Sequence, residues 1–369
     1  MNVEPRELRV VVMWMERAVD GSAAGAHLRG TVVRLQAIQG VSIERVIADT
    51  AAADGREPYL TKGKRLLLLI LSGMLAARRG RVLVARAHPL MFAVVLLWKL
   101  VGAKVVLSVQ GSLDDVGENE YRWLAKSRLF RSYSVASTRI ADGVIAGAPV
   151  LYEHIRDHMI GRKTILVSIA NGVFLEEFGA ARSTPRPMKN PYAVFVGNLA
   201  SWQGVETMTL AVAEPSWPPN LPLVVVGDGT ERHRVANRTG IIWLGRLPSA
   251  EAARWLAHAY CAFSLKRSDS AVGAHGYWPF KLIESAAAGV PIICSNAKGM
   301  EEGARQLGHA VVVQAESPSA AAEAVRDLYE DNKARARLAE NGLENVEQFA
   351  WDAGAPALAE LLKAVHRSG

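Results

Sequence analysis

Residues 276–296, GYWPFKLIESAAAGVPIICSN, carry the clearest structural signal in this chain of 369 residues. A proline suits the first turn of a helix, and the small residues at 286–289 would let that helix pack closely on its neighbours. The chain then returns through Gly-Val-Pro to a short apolar run, which is typical of a buried strand. The stretch therefore predicts a helix followed by a parallel β-strand.

The predicted helix also carries polar groups that suit a nucleotide. If it begins at Pro279, its free N–H groups and the positive end of its dipole favour an anion, and Lys281 adds a full charge in the first turn. Glu284 lies three residues further on, on the same face. A carboxylate set back from a phosphate site accepts hydrogen bonds from ribose hydroxyls in many α/β domains. The alternative interpretation is a surface helix with an incidental Lys/Glu pair.

Strand-like runs separated by amphipathic segments extend this pattern over the whole chain. The alternation predicts an α/β protein with two tandem doubly wound, Rossmann-like domains, each containing a parallel sheet covered on both faces. Ligands bind such sheets at the carboxyl ends of the strands, so we expect the site in a cleft between the domains. The predicted strands are residues 8–15, 41–48, 81–87, 103–110, 141–148, 164–170, 192–199, 221–229, 241–247, 260–266 and 290–295.

The loop before the helix offers further binding candidates. Residues 265–276, LKRSDSAVGAHG, follow a predicted strand and include Lys266, Arg267, His275 and Gly276. Glycines let backbone amides approach a phosphate, and the cations can neutralise a leaving diphosphate. His275 is a candidate ligand contact, although a loop histidine beside a glycine is more often incidental.

The positive charge of the chain is concentrated in its first half. Residues 1–180 contain 24 Lys and Arg against 17 Asp and Glu, whereas residues 181–369 contain 19 of each. From residue 58 to 113 there are nine basic residues and no acidic one, around two apolar runs shorter than the roughly 18–20 residues that span a membrane. Two interpretations stay open: buried helices with solvated basic ends, and peripheral association with an anionic membrane surface.

Other partners and compartments are less consistent with the sequence. No aromatic interleaving or recognition motif accompanies the basic charge, so we expect no nucleic-acid binding. Cys261 and Cys294 have no metal-site spacing and fit a reducing compartment, and the residues before the first strand do not resemble a secretion signal. We therefore expect a cytoplasmic protein, with any membrane association peripheral and at the inner face, and without a metal site.

The segment PFKLIESAAAGVPII, residues 279–293, resembles the donor-site motif of GT-B glycosyltransferases of family 4. Further motifs of that family are matched in the same order by VSIANGVFLEEF (167–178), FVGNLASWQGVETM (195–208), VVVGDG (224–229), WLGRLPSAE (243–251) and FAWDAGAPAL (349–358). The match covers the C-terminal half well and the N-terminal half in outline. It implies retaining transfer of a sugar from a UDP- or GDP-sugar to an acceptor hydroxyl, without an obligatory metal or other cofactor.

The resemblance also assigns roles to residues. It implies that Glu284 binds the ribose and Lys281 the diphosphate, with Gly197 near the donor. Neighbouring motif positions that we predict to line the donor site are Asn198, Gln203, Lys266, Arg267, His275, Gly276, Pro279, Phe280 and Leu282. Gly21, Ser22 and Gly25, after the first strand, are the predicted phosphate loop of the N-terminal domain. Gln110 and Asp20 join Lys281 as catalytic candidates.

Several positions depart from the family pattern. Asn198 and Gln203 stand where many members have arginine and lysine, so Lys281, Lys266 or Arg267 must carry more of the phosphate charge. Gly276 replaces a glutamate that contacts the donor sugar in many members. Gln110 stands where many members have a histidine, and a neutral amide cannot be a general base. Asp20, Asp114 and Asp115 are the acidic candidates for an acceptor base, and residues 113–120, LDDVGENE, match no calcium loop.

The resulting prediction is an acceptor-binding domain over residues 1–178, a linker over 179–191, a donor-binding domain over 192–348, and a tail over 349–369 that crosses back. The expected partners are a nucleotide-sugar and a polysaccharide, lipid-linked or other cell-envelope acceptor. A small-molecule acceptor, a sugar-nucleotide epimerase and a non-catalytic sugar-nucleotide-binding protein are the alternatives. An NAD-dependent enzyme is disfavoured, because GDGTER lacks the third glycine of the dinucleotide motif.

Overall fold

The computed structural model describes residues 7–49, 59–110, 128–158, 161, 163–267, 279–297 and 299–368. The chain forms two compact units, of which the first comprises Met1–Asn171 with Trp351–Gly369 and the second Gly172–Ala350. The division after Asn171 precedes the linker predicted at 179–191. The reason is that Leu175–Arg182 form a helix of the second unit, where Arg182 donates a hydrogen bond to the carbonyl of Ala287.

The first unit contains a parallel six-stranded sheet of order β2-β1-β3-β4-β5-β6. Val10, Val11, Val12, Met13 and Trp14 are all buried, because a central strand of a parallel sheet is covered on both faces. The strands are β1 (Leu8–Arg17), β2 (Val41–Asp49), β3 (Val82–Arg86), β4 (Lys104–Val109), β5 (Gly143–Ala146) and β6 (Ile165–Ser168). The helices between them are α1 (Ala23–Gln36), α2 (Tyr59–Arg78), α3 (Met91–Leu100), α4 (Arg128–Ile140) and α5 (Pro149–His158).

The second unit contains another parallel six-stranded sheet, of order β12-β11-β10-β7-β8-β9. Its strands are β7 (Ala193–Val196), β8 (Leu223–Val226), β9 (Ile241–Gly245), β10 (Cys261–Ser264), β11 (Ile292–Ser295) and β12 (Ala310–Val313). Its helices are α6 (Leu175–Arg182), α7 (Val205–Ala211), α8 (Ser249–Ala257), α9 (Phe280–Ala288), α10 (Met300–Leu307), α11 (Pro318–Glu330) and α12 (Asn332–Asn345). The predicted α/β class with two doubly wound sheets is confirmed, and β12 is a strand that the sequence prediction omitted.

The last helix, α13 (Ala355–Arg367), belongs to the first unit. Its apolar face, including Leu358, Leu361, Leu362 and Val365, is buried in the core beneath β1 and α1. The preceding turn fixes this segment, because the ring of Trp351 lies against Gly30 of α1, where a Cβ atom would come within 2.1 Å of it. Arg34 adds a hydrogen bond of 2.9 Å from Nε to the carbonyl of Trp351.

The order of the strands decides which helices share a face of the first sheet. Crossover connections in parallel sheets are right-handed, so α1, which leads outward from β1 to β2, lies on one face, with α13 packed beside it. The connections that proceed in the opposite direction place α2, α3, α4 and α5 on the other face, where α2 packs on α3 and α3 on α4. Among the described residues, no helix has both the length and the apolar character needed to cross a bilayer.

Candidate functional site

The strand order of the second sheet creates a crevice at one edge. The chain moves from β7 outward to β8 and β9, then returns to the other side of β7 with β10. Ligands of doubly wound sheets bind beyond the carboxyl ends of the strands at such a topological switch point. Gly197 directly follows β7, and Lys266 lies two residues beyond the end of β10. The switch point therefore brings together two segments from which we predicted donor-binding residues.

Helix α9 begins at this edge of the sheet and carries the predicted phosphate and ribose ligands. Pro279 has extended backbone (φ −67°, ψ 141°) and takes the N-cap position, so the helix starts at Phe280, one residue later than predicted. The helix ends at Gly289, whose φ of 68° suits a glycine, and the amides of Gly289 and Val290 bond back to the last turn. The run of alanines packs inward, with Ala286, Ala287 and Ala288 buried.

Two lysines converge on one amide oxygen at the start of α9. Lys266 donates from Nζ to Oε1 of Gln203 at 2.9 Å, and Lys281 donates to the same oxygen at 3.1 Å. Lys266 is 1% exposed and Gln203 8% exposed, so this arrangement is largely removed from solvent. An amide oxygen has two lone pairs but no net charge, so it orients both ammonium groups without neutralising them. Lys266 and Lys281, linked through Gln203 and hereafter called the lysine pair, are suited to bind an anion.

Gly197 provides the space that Lys281 occupies. Its φ is +147°, and a Cβ atom at this position would lie 2.7 Å from Nζ of Lys281 and 2.9 Å from its Cε. The ammonium group also lies 5.0 Å from the centre of the Phe195 ring, close enough for a cation–π interaction. Gly227, which directly follows β8, packs so closely against the backbone of Gly197 that a Cβ atom on Gly227 would lie 1.9 Å from the Gly197 carbonyl oxygen. These glycines permit close packing around the lysine.

Burial perturbs the two titratable groups of α9 in opposite directions. Desolvation lowers the pKa of Lys281 to about 8, although Glu284 one turn away partly opposes the change. Desolvation raises the pKa of Glu284, an effect that Lys281 opposes and the charge of Glu177 reinforces. Each charged form is therefore disfavoured by burial and favoured by its neighbour of opposite sign. A bound anion would supply Lys281 with the stronger partner that its charged form lacks.

A buried histidine supports α9 from beneath. The hydroxyl of Ser285 donates to the carbonyl of Leu282 at 3.0 Å and lies 2.8 Å from Nε2 of His309. Burial lowers the pKa of His309 to about 4, so its ring is neutral near pH 7. Residues 282 and 285 flank Glu284 on the helix, so this contact helps to fix the part of α9 that carries the predicted ligands.

Four further residues predicted for the donor site are Asn198, Arg267, His275 and Gly276. Asn198 is exposed, and its Oδ1 lies beside Gly229, where a Cβ would come within 2.5 Å of it. The Nε of Arg267 lies 3.7 Å from Glu316, and that side chain is 42% exposed. His275 and Gly276 lie outside the described residues. Of the cations proposed to compensate for Asn198 and Gln203, Lys266 and Lys281 are the two that the structure brings together.

The predicted phosphate loop of the first unit lies at the switch point of its own sheet, between β1 and β3. Gly21 has a left-handed φ of 68°, and Ser22 caps α1, accepting a hydrogen bond of 3.0 Å from the amide of Gly25. A Cβ on Gly25 would lie 2.2 Å from the carbonyl oxygen of Val19, so a tight turn requires glycine there. Asp20 is exposed on the same loop. Their binding and catalytic roles stay predictions.

Gln110 directly follows β4 and has a constrained side chain. Its Nε2 donates to the hydroxyl of Ser108, whereas its Oε1 is buried and has no hydrogen-bond partner among the described residues. Gly147 leaves room for this oxygen, since a Cβ there would lie 2.4 Å from Oε1 and 3.2 Å from Oδ1 of Asn171. A buried carbonyl oxygen without a donor is costly, which is typical of a position that meets a ligand.

No cluster of three or more His, Cys, Asp or Glu side chains suited to a metal ion occurs within the part of the chain that the structure describes. The acceptor-base candidates Asp114 and Asp115 lie outside that part. Cys261 and Cys294 are both buried and unpaired with each other, and burial raises the pKa of each thiol to about 12.

The sequence predicts that Gln203 lines the donor site but does not indicate that it contacts two lysines, and it does not single out Ser285, His309, Asn171 or Gly147. A signal for Gln203 was present in the adjacent Gly204, which has a left-handed φ of 62°. A Cβ on Gly204 would lie 2.5 Å from Cβ of Leu265, so this glycine lets residue 203 approach the end of β10. The partners of Ser285 and Gln110 lie too far along the sequence for spacing to indicate them.

Known proteins resemble the chain in sequence and in fold. Residues 180–345 match the family described as glycosyl transferases group 1. The chain is 26% identical over 231 residues to a lipopolysaccharide core biosynthesis glycosyltransferase, LpsE, of Rhizobium meliloti (strain 1021), a match covering 61% of this chain. It is 30% identical over 198 residues, 49% of the chain, to a glycogen synthase of Mycobacterium tuberculosis. These matches span 65% and 45% of the two relatives' own lengths.

Solved structures resemble the chain over nearly its whole length. Sucrose-phosphate synthase from Thermosynechococcus elongatus has a TM-score of 0.74 at 18% identity, covering 98% of this chain and 100% of that one. HepE of Anabaena in complex with UDP-glucose has a TM-score of 0.72 at 14% identity, covering 97% and 100%. WaaG, a glycosyltransferase involved in lipopolysaccharide biosynthesis, has a TM-score of 0.65 at 12% identity, covering 96% and 99%. At these identities the likeness is one of fold.

Proposed function

We propose, for a chain whose residues 180–345 belong to the glycosyl transferases group 1 family and whose fold is GT-B, that it transfers a sugar from a nucleotide diphosphate-sugar to an acceptor hydroxyl. The observation that carries the proposal is the lysine pair, in which Lys266 and Lys281 meet on the amide oxygen of Gln203. Two ammonium groups oriented by a neutral acceptor at a topological switch point are suited to a diphosphate. A fold neighbour that holds UDP-glucose is consistent with this donor class.

The proposed role of the lysine pair is to stabilise the leaving group. As the bond from the sugar to the diphosphate breaks, negative charge develops on the phosphate oxygens, and ammonium groups already in place stabilise that charge without reorganisation. We propose that Glu284, one turn along α9, accepts hydrogen bonds from the ribose hydroxyls. In the first unit, we propose that the amides at Gly21 and Ser22 assist the phosphates, and that Gln110 and Asp20 face the sugar or the acceptor.

The proposed donor is a UDP- or GDP-sugar, and the proposed outcome is retention at the anomeric carbon. The proposed transfer needs no metal, because the lysine pair provides the positive charge that a metal would otherwise supply. For the acceptor we propose a polysaccharide, glycolipid or other cell-envelope glycan, for which the similarity to LpsE is the support. The free, buried Cys261 and Cys294 support a reducing compartment, and we propose the cytoplasm as the site of action.

Donor binding tests the proposal directly. We would measure thermal shifts of the full chain with UDP, GDP, ADP and TDP and with their common sugars, beside the variants Lys281→Ala and Glu284→Ala. A ligand at 100 times its dissociation constant stabilises by about 2.7 kcal/mol, which is readily measured. We expect a thermal shift with one nucleotide family, and we expect both variants to lose it. The control Lys333→Ala, on the exposed side of α12, should retain the shift. No shift with any nucleotide would contradict the proposal.

Transfer is distinguished from simple binding by product formation. The nucleotide that gives the thermal shift would be supplied as its sugar with a panel of glycan, glycolipid and small polar acceptors, and release of nucleoside diphosphate would be followed. Lys281→Ala is expected to lower turnover by about 10²–10³, the typical effect of removing one preorganised charge contact. Binding without turnover on every acceptor would instead support a non-catalytic sugar-nucleotide-binding protein. The anomeric configuration of the product, determined by NMR, tests retention.

A further inference from the structure

Helix α2 exposes a row of leucines to solvent. Leu67, Leu68, Leu71 and Leu75 are 56%, 54%, 57% and 48% exposed, whereas Leu69 on the opposite side of the same helix is fully buried. The exposed positions recur at intervals of three and four residues, so they form one stripe along the helix. The core of the unit accounts for the buried side of α2, whereas the stripe stays exposed on the described part of the unit.

Helix α3 extends the apolar surface beside α2. Its outer side exposes Leu96, Leu97 and Leu100, the last of them by 73%. The two helices lie on the same face of the sheet, and the indole of Trp98 ties them together by donating to the carbonyls of Leu69 and Ile70. Their outer sides therefore form one surface, which we call the leucine face. A continuous apolar surface of this kind marks an interaction site rather than ordinary surface variation.

The charges around the leucine face are positive. Lys64 and Arg78 are exposed near the two ends of α2, at positions that continue the leucine stripe, and within the described part of the chain neither forms an ion pair. Many of the other basic residues between 58 and 113 are matched by acids from elsewhere: Arg65 pairs with Asp49, Arg81 with Glu44, and Lys99 with Asp142. The cations left over thus bracket the leucines, which is the pattern of a helix that lies in a membrane interface.

We infer that the leucine face docks on an anionic membrane surface, with α2 and α3 lying parallel to the bilayer and their leucines inserted at the level of the head groups. Lys64 and Arg78 would contact lipid phosphates at the ends of α2, since long basic side chains reach the interface while their stems cover apolar surface. This surface belongs to the first unit and is separate from the lysine pair, so the inference does not depend on the proposed sugar transfer.

Charge also favours the membrane over a second copy of the chain. From residue 58 to 113 the sequence contains no acidic residue that a partner's Lys64 or Arg78 could pair with. Pairing two leucine faces would bring these like charges close together and would disfavour the dimer. An anionic lipid surface offers both the apolar layer and the negative charge that the leucine face lacks.

Vesicle sedimentation of the full chain tests the inference. Vesicles of phosphatidylcholine alone would be compared with vesicles containing equal parts of phosphatidylglycerol, at low and high salt. We expect the protein to sediment with the anionic vesicles and much less with the neutral ones, and raised salt to weaken binding in part. Equal binding to both vesicle types, or no binding to either, would overturn the inference.

Matched variants separate the apolar and charged parts of the surface. Leu68→Gln/Leu71→Gln is expected to reduce binding by about tenfold or more, and Lys64→Glu/Arg78→Glu by a similar factor at low salt. The controls are Leu210→Gln/Val312→Gln and Lys333→Glu/Arg337→Glu, which change exposed residues of the second unit, and both should bind vesicles as the wild type does. All four change exposed side chains, so melting temperatures should stay close to wild type.

Sedimentation velocity without vesicles provides the deciding measurement about a second copy. We expect the same sedimentation coefficient for the wild type and for Leu68→Gln/Leu71→Gln. If the wild type is instead a dimer that this variant dissociates, and vesicles do not bind, the leucine face is an interface between copies and the membrane inference is overturned. The membrane inference would also be overturned if Leu68→Gln/Leu71→Gln bound vesicles as strongly as the wild type does.

Discussion

Lys266 and Lys281 are linked through a single atom, Oε1 of Gln203, which accepts hydrogen bonds of 2.9 and 3.1 Å from their ammonium groups. The lysines belong to different segments, one after β10 and the other in the first turn of α9. Two like charges are kept close together in a largely buried place because the oxygen between them carries a partial negative charge. An anion with several oxygens, such as a diphosphate, would interact with both lysines more strongly than the amide does.

Replacing Gln203 by glutamate is expected to stabilise the protein and weaken donor binding. The carboxylate would have the same shape, form charged hydrogen bonds to both lysines, and neutralise part of the charge that the diphosphate needs. We expect a higher melting temperature and a donor dissociation constant raised at least about tenfold, equivalent to about 1.4 kcal/mol. Calorimetric titration with the nucleotide from the thermal-shift panel measures the affinity.

Gln203→Met is the matched control for the Gln203→Glu variant. It keeps the volume of the side chain but leaves both ammonium groups without their shared acceptor, which costs about 1.5–3 kcal/mol for hydrogen bonds to charged groups. The unliganded protein should therefore melt earlier, and the donor should stabilise it by more than it stabilises the wild type. If Met and Glu instead weaken donor binding equally, Gln203 contacts the donor itself, and the carboxylate of Gln203→Glu does not compete with the diphosphate for the lysines.

Donor affinity is expected to fall as the pH rises through about 8. Burial lowers the pKa of Lys281 to about 8, so in the unliganded protein the side chain loses its proton above that pH. A diphosphate favours the charged form, and binding must then include uptake of a proton. Affinity should decline by up to about tenfold per pH unit above 8, and titrations in buffers of different ionisation enthalpy should detect the proton.

The same pKa shift also predicts how the stability of the unliganded protein depends on pH. In the unfolded chain Lys281 titrates near its ordinary value of about 10.5, so between pH 8 and 10.5 the unfolded state binds more protons than the folded state. The contribution of this residue to stability therefore rises with pH in that window. Lys281→Met should remove both the pH-dependent affinity and this rise. A variant that retains either would show that another group titrates.

Gly197→Ala is expected to disturb donor binding more than the fold. The added Cβ would lie 2.7 Å from the Lys281 ammonium, which is the end of a flexible side chain and can move away. Gly245→Ala is the matched control, since Gly245 also has positive φ in the same unit but nothing within 4 Å of its Cβ position. Both variants should lose some stability from backbone strain. Only Gly197→Ala should weaken donor binding by more than about tenfold. Equal affinities would mean that Lys281 does not contact the donor.

The architecture was predictable because parallel strands buried on both faces appear as apolar runs. Eleven of the strands were expected close to their observed bounds, but β12 (Ala310–Val313) was omitted. It is a four-residue strand at the edge of the sheet, where partial exposure and short length weaken the signal. The compact units divide after Asn171, before the linker predicted at 179–191, and the proline-bearing stretch that suggested irregular backbone lies inside the second unit.

The chemistry of the site was predictable only where it depends on neighbouring residues. Lys281 and Glu284 are one turn apart on a single helix, so their spacing shows that they share a face. Gln203 lies 63 and 78 residues before the lysines that it links, and His309 lies 24 residues after Ser285. Such partners depend on strand order, and no local pattern in the sequence records it.

Gln110→Met is expected to preserve stability and reduce activity. The substitution removes the hydrogen bond to Ser108, but it also removes a buried oxygen that has no donor among the described residues. These effects are opposite in sign and each about 1–3 kcal/mol, so the melting temperature should change little. If Oε1 meets the sugar or the acceptor, turnover should fall while donor affinity stays within a few-fold. A stable variant with normal turnover would remove Gln110 from the catalytic candidates.

Gly30 and Trp351 should show strong coupling, because a Cβ on Gly30 would overlap the indole ring. Gly30→Ala alone should destabilise α1 by displacing Trp351, which also carries the carbonyl that Arg34 binds at 2.9 Å. Trp351→Ala alone should cost about 3–5 kcal/mol as a large buried truncation. In the Trp351→Ala background, however, Gly30→Ala meets no ring and should stabilise by about 0.5–1 kcal/mol through helix propensity. Hydrogen exchange of the α1 amides measures the stability of α1 in each variant. Additive effects of the two substitutions would show that this contact does not hold Trp351–Gly369 in the first unit.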